Sequence, residues 1–137
     1  MLRRSYLWVV VLLVVTVLAA CGGGGGGEQS GSGGGAAGNA ENGKAIFAQA
    51  THGANPDCNT CHSLDGSQLV GPTMQGVGTR AATRVQGQSA PEYIRTSIVD
   101  PNAYVVEGFA QGVMPTYRDV IKDAELNDLV AYLVSLK

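Results

Sequence analysis

An all-α fold is predicted for residues 41–137, and three patterns of residues predict it. Near the C-terminus, Leu126, Leu129, Val130 and Leu133 recur at helical spacing, with Tyr132 at the border of the stripe. Ser89-Ala90-Pro91-Glu92 has the form of a capping box with proline in the first turn, ahead of Ile94 and Ile98 on one face. Gly43, Ile46, Phe47 and Ala50 fall at i, i+3, i+4 and i+7. The segment Gly71 to Arg80 holds three glycines without a period, which argues for irregular backbone rather than a strand.

The 137 residues leave room for one such domain, and what precedes it is of a different kind. Arg3 and Arg4 form a basic start, Leu7 to Val17 is an almost unbroken apolar run, and Leu18-Ala19-Ala20-Cys21 follows. The run is shorter than the roughly 20 residues a membrane span needs. Those four residues resemble the lipobox of bacterial lipoproteins, which implies that 1–20 is a lipoprotein signal peptide and that Cys21 is lipidated after cleavage. An uncleaved anchor helix over about Tyr6 to Ala20 is the alternative. Residues 21–40 then form the lipidated cysteine and a tether: eleven of the 19 residues from 22 to 40 are Gly, too little apolar surface to offset ordering entropy. The expected location is the outer, periplasmic or extracytoplasmic face of the bacterial cytoplasmic membrane.

In the domain itself, Asn39 is the expected N-cap of a first helix running to about Ala50. Gly43 inside it suggests close approach of a second helix, for which the C-terminal stripe is the candidate. That last helix is expected to start with Asp123 as N-cap, Glu125 suiting the positive end of its dipole and Lys137 the negative end. Thr51 to Asp57 is a turn-rich loop in which His52 is expected to face solvent. Pro101 should end the helix that Ser89 begins, because it pushes Asp100 out of helical backbone.

The most informative stretch is Cys58-Asn59-Thr60-Cys61-His62, which has the C-x-x-C-H form of a c-type haem attachment site. On one helical turn both sulfurs lie on one side and reach the two vinyl groups of a haem edge, and His62 can turn to the iron. Zinc would need four ligands, and only Cys21 and His52 remain to supply them. A thioredoxin-like dithiol would need a βαβ context that the chain lacks. With Cys21 assigned to lipid, no cysteine is left for a disulfide. A metal-bound histidine usually donates its other N–H to a carbonyl or carboxylate, and a carbonyl from the segment after Gly71 is the candidate.

Residues 41–137 resemble a class I monohaem cytochrome c. Gly43 and Phe47 match the G-x-x-x-F of that family's first helix, and Leu129 with Tyr132 its partners in the last. The resemblance implies one covalent haem c, a Pro72 carbonyl accepting from His62, and Arg80 and Tyr104 near the haem propionates. It also implies Met114, before Pro115, as the distal sulfur ligand. Of the other methionines, Met1 should leave with the signal peptide and Met74 should pack in the core. Ser97 stands where many members carry an aromatic residue near the methionine. The whole architecture is similar to the lipid-anchored monohaem subunit of bacterial alternative complex III, a quinol-oxidising assembly.

Two functions follow from this. With His62 and Met114 both bound, iron has no open position, which implies an electron carrier rather than an enzyme, tethered by lipid and serving redox partner proteins. The alternative is a haem enzyme or gas sensor with an open sixth position. Residues 41–137 carry seven Lys and Arg against ten Asp and Glu, a net charge of −3, so no basic footprint for nucleic acid is present.

Overall fold

A computed structural model describes residues 38–137; the expectations for residues 1–37, Cys21 included, lie outside that range. Four helices carry the domain. They are α1 (Ala40–Phe47), α2 (Val77–Arg80, continued by a 3-10 turn over Ala81–Thr83), α3 (Ala90–Val99) and α4 (Asp123–Ser135). A two-residue hairpin, β1 (Thr51–His52) antiparallel to β2 (Asn55–Pro56), is the sole sheet among the described residues.

Helix α1 begins as its sequence dictates. Asn39 is extended, and its side-chain oxygen accepts from the N–H groups of Glu41 (2.9 Å) and Asn42 (3.1 Å), meeting two of the helix's orphan donors. From α4, Asp128 accepts from the Asn39 N–H at 2.6 Å and from the Asn42 amide at 3.2 Å. The folded domain therefore starts before residue 41. The helix stops at Phe47, three residues earlier than its periodicity suggests, and Ala50 is exposed. The reason lies in the hairpin that follows. Gln49 N–H already bonds the Ile46 carbonyl in a tightened last turn, and Gly53 at φ +62° reverses the chain so that His52 pairs with Asn55.

Helices α1 and α4 cross at Gly43. A Cβ there would run into the Asp128 carbonyl and lie 2.8 Å from the Tyr132 Cβ, so only glycine admits this approach. One turn on, Phe47 (2% exposed) packs its ring 5.7 Å from Tyr132 at 59°. The predicted stripe of α4 is buried throughout, with Leu129 at 1%. Its first residue is Asp123 rather than the expected cap: Lys122 holds the cap position, and its N–H donates to the Glu125 carboxylate at 3.0 Å. At the other end Gly78 of α2 donates its N–H to the Leu136 carbonyl at 2.8 Å, satisfying a group that a helix end leaves unpaired.

Helix α3 has Glu92 accepting from the Ser89 N–H at 2.8 Å and from its hydroxyl. Tyr93, Ile94 and Ile98 are its buried face, and Asp100 leaves helical backbone at φ −145°, ψ 74° ahead of Pro101.

Truncating Phe47 to Ala removes the aromatic side of this crossing and is expected to cost about 3–5 kcal/mol. Denaturant unfolding of the holoprotein measures it; a loss under roughly 1 kcal/mol means that the helices do not depend on this contact.

Candidate haem-binding site

One cleft runs through the core, and Cys58, Cys61, His62, Pro72, Arg80, Tyr104 and Met114 all line it. Its floor is the helix core itself, since Phe47, Ile94, Leu129 and Leu133 reach it as well. The seven sequence-predicted residues of the described domain are thus brought to one place from three separate stretches of chain.

The motif turn is held locally. The N–H groups of Cys61 (3.2 Å) and His62 (2.9 Å) both bond the Cys58 carbonyl, which closes one helical turn and puts the two sulfurs on one side. Asp57 caps that turn, its carboxylate accepting from the Thr60 N–H at 3.2 Å and from the Thr60 hydroxyl. The cap is spelled in the sequence as Asp57-x-x-Thr60 and is overlooked when the two cysteines draw the attention. Cys58 and Cys61 are half-buried and form no disulfide with each other. Before any thioether forms, burial above all, with the Asp57 carboxylate adding, pushes the Cys58 thiol up to about 11.

His62 donates from Nδ1 to the Pro72 carbonyl at 2.7 Å. That bond fixes the tautomer and leaves Nε2 with a free lone pair, which is what an iron ligand must offer. Burial holds the imidazole below its ordinary value, against the opposing pull of the Pro72 carbonyl, so the neutral form is favoured. The loop that brings Pro72 there is closed at its base: Met74 N–H bonds the Ser63 carbonyl at 2.7 Å, and the Ser63 hydroxyl bonds Thr73 at 2.9 Å. Gly71 donates to the Cys61 carbonyl at 2.8 Å, and a Cβ on it would strike the His62 ring, lying 2.8 Å from Nδ1.

Met114 is positioned by its neighbours. The loop before it is tied at its ends by Asn102, whose side chain accepts from the Gly112 N–H at 2.9 Å. After it, the Thr116 hydroxyl donates to the Val99 carbonyl (2.7 Å) and the Tyr117 N–H to that of Ile98 (3.1 Å), pinning the segment to the end of α3. From the hairpin side, the Asn55 amide donates to the Thr116 carbonyl and the Tyr117 hydroxyl to the Pro56 carbonyl, at 2.8 and 3.0 Å. Met74 is half-buried against the core, as expected, and lines the cleft too.

His52 corrects the sequence reading. It is 4% exposed, not solvated, with Nε2 4.0 Å from the Cys58 sulfur and its ring edge-on to Tyr117 at 5.7 Å. Ser97 lines the cleft with a buried hydroxyl that has no partner among the described residues. Arg80 donates to the Thr73 carbonyl at 2.7 Å and to that of Gln75, and Tyr104 sets its ring 5.9 Å from Tyr93.

The donor set fits haem. Two thiols on one turn, an imidazole with its outer nitrogen engaged, a thioether and an apolar lining are present together. Among the described residues no three His, Cys, Asp or Glu side chains gather as a metal-holding group, so the ligand set for zinc is not assembled.

Gly71→Ala is expected to displace the His62 ring from the Pro72 carbonyl. The measurements are holoprotein yield and the ferric optical spectrum: yield should fall and a high-spin fraction appear. A wild-type yield and spectrum would contradict the packing.

The model of the Cytochrome c family matches residues 40–137. No curated protein matches the chain. The match covers well over half of the sequence and contains the motif turn, the cleft and all four helices; the chain belongs to the cytochrome c family, an all-α class I fold that carries one covalently bound haem c in an electron-transfer protein.

Proposed function

We propose that the chain is a membrane-tethered electron carrier, working as a subunit of a quinol-oxidising complex of the alternative complex III type. The carrying observation is that His62 and Met114 line the same cleft, each fixed by hydrogen bonds of the surrounding backbone. Haem supplies a one-electron centre, and methionine–histidine ligation raises its potential relative to other ligand pairs. In this reading Cys58 and Cys61 would hold the haem through thioethers, and the His62 imidazole and Met114 sulfur would be its iron ligands. The neutral His62 tautomer is held by Pro72. With His62 and Met114 both as ligands, the iron would offer no open position to a substrate or a gas.

The tether and the complex rest on sequence. Leu18-Ala19-Ala20-Cys21 followed by the glycine-rich stretch supports lipid attachment at the outer membrane face, and a glycine-rich coil of the 16 residues 22–37 would span roughly 22 Å at about 5–6 Å times the root of residue number. That reach lets the haem domain turn between a membrane-bound donor and an acceptor, whether a soluble carrier or a terminal oxidase.

Met114→Ala is the deciding variant for ligation. It is expected to lose the sulfur-to-iron band, to lower the potential and to let carbon monoxide bind the ferrous haem. If it keeps the wild-type spectrum and potential while Met74→Ala or His52→Ala changes both, the ligand is another residue and the carrier reading fails. For the anchor, mass spectrometry of the native N-terminus should find lipid on Cys21, and Cys21→Ala should abolish it; a mature protein that retains Met1 overturns the assignment.

A further inference from the structure

The hairpin sets a second histidine against the first cysteine of the motif. His52 is buried, with Nε2 4.0 Å from the Cys58 sulfur, yet it is not among the residues that line the cleft, whereas Cys58, Asp57 and Tyr117 are. It therefore touches the sulfur without taking a place where the haem must lie. The contact is local: His52 and Cys58 are six positions apart, and the pairing of His52 with Asn55 turns the chain back toward the motif. No imidazole is printed against the Cys61 sulfur in the same way among the described hydrogen bonds, so the two cysteines are not equivalent.

We propose that His52 is the general base for thioether formation at Cys58. The inference rests on the covalent haem c alone, not on the distal ligand, the tether or any partner. A thiol adds to a vinyl group through its sulfur lone pair, and it is the deprotonated sulfur that is the strong nucleophile. Burial and the Asp57 charge work against that deprotonation at Cys58. A base within reach of the S–H is what such a site lacks, and three groups stand near enough to be considered. Asp57 is committed to capping the motif turn, accepting from the Thr60 N–H and hydroxyl. Tyr117 gives its hydroxyl proton to the Pro56 carbonyl at 3.0 Å, and burial pushes that hydroxyl up to about 12. His52 is left: protonated on Nδ1, it presents the Nε2 lone pair to the sulfur. A separation of 4.0 Å is long, as base-to-nucleophile contacts often are before the reactant is bound.

The step balances without an added reagent. The Sγ–H bond of Cys58 breaks and its proton passes to His52 Nε2. An Sγ–C bond forms to the vinyl carbon next to the haem ring, and a proton returns to the terminal vinyl carbon. One S–H bond and one C=C double bond become one C–S and one C–H bond, and no electron is gained or lost overall. The edge-on Tyr117 ring, 5.7 Å away, holds the imidazole in place for this transfer.

The test is the occupancy of each cysteine in full chain produced in its host, for wild type, H52Q and H52F. All recovered chain, with or without haem, is unfolded and alkylated, and peptide mass spectrometry reads which sulfur carries haem and which took the label. Glutamine keeps a polar group beside the sulfur, phenylalanine keeps a ring against Tyr117, and neither can take up the proton. General-base assistance is worth on the order of 10²-fold or more in rate. Both variants are therefore expected to leave Cys58 unattached about tenfold more often than Cys61, giving haem held by Cys61 with one vinyl intact, while wild type carries both thioethers. Full occupancy of both cysteines in either variant overturns the proposal. So does loss at Cys61 equal to or greater than that at Cys58, which marks His52 as a packing residue only.

Discussion

The crossing of α1 over α4 at Gly43 is the constraint on which the rest of the domain depends. With any larger residue there, the Asp128 carbonyl could not approach, Asp128 could not reach Asn39 and Asn42, and Phe47 could not meet Tyr132. Leu129 and Leu133, on the same helix, face both that crossing and the haem cleft. The floor of the binding site is therefore part of the joint between the two ends of the domain. Loosening the joint moves the floor.

Above that floor, the site is organised through backbone groups more than through side chains. Pro72 contributes its carbonyl, Gly71 its lack of a side chain and its N–H, and Val99 and Ile98 the carbonyls that pin the segment after Met114. Such contacts tolerate much change in side-chain identity, because the groups that matter are common to every residue. The exceptions are glycines at close approach and prolines that set the chain direction, and these are the positions where the family resemblance is densest: Gly43, Gly71-Pro72, Pro101 and Pro115.

This explains what could be seen from the amino-acid order. Features set by near neighbours were legible: the C-x-x-C-H turn, the Asn39 cap, the Ser89–Glu92 pairing, the stop at Pro101 and the apolar stripe of α4. The place of His52 was not, because its burial depends on Tyr117, 65 residues further on, and a lone loop histidine carries no sign of that distant ring. The early end of α1 was hidden for the same reason, since the hairpin that draws the chain away is only four residues of weak pattern plus a two-residue turn.

The contact between Asn39 and Asp128 spans 89 positions of sequence, close to the full length of the described domain. Closing so long a loop carries an entropic cost that nearer contacts do not, and a chain made from its N-terminus cannot meet that cost until α4 has emerged. Cys58 and Cys61 emerge far earlier. Until the last helix docks, therefore, both cysteines lie in a chain whose two ends are not yet joined, and the cleft around them has no closed floor.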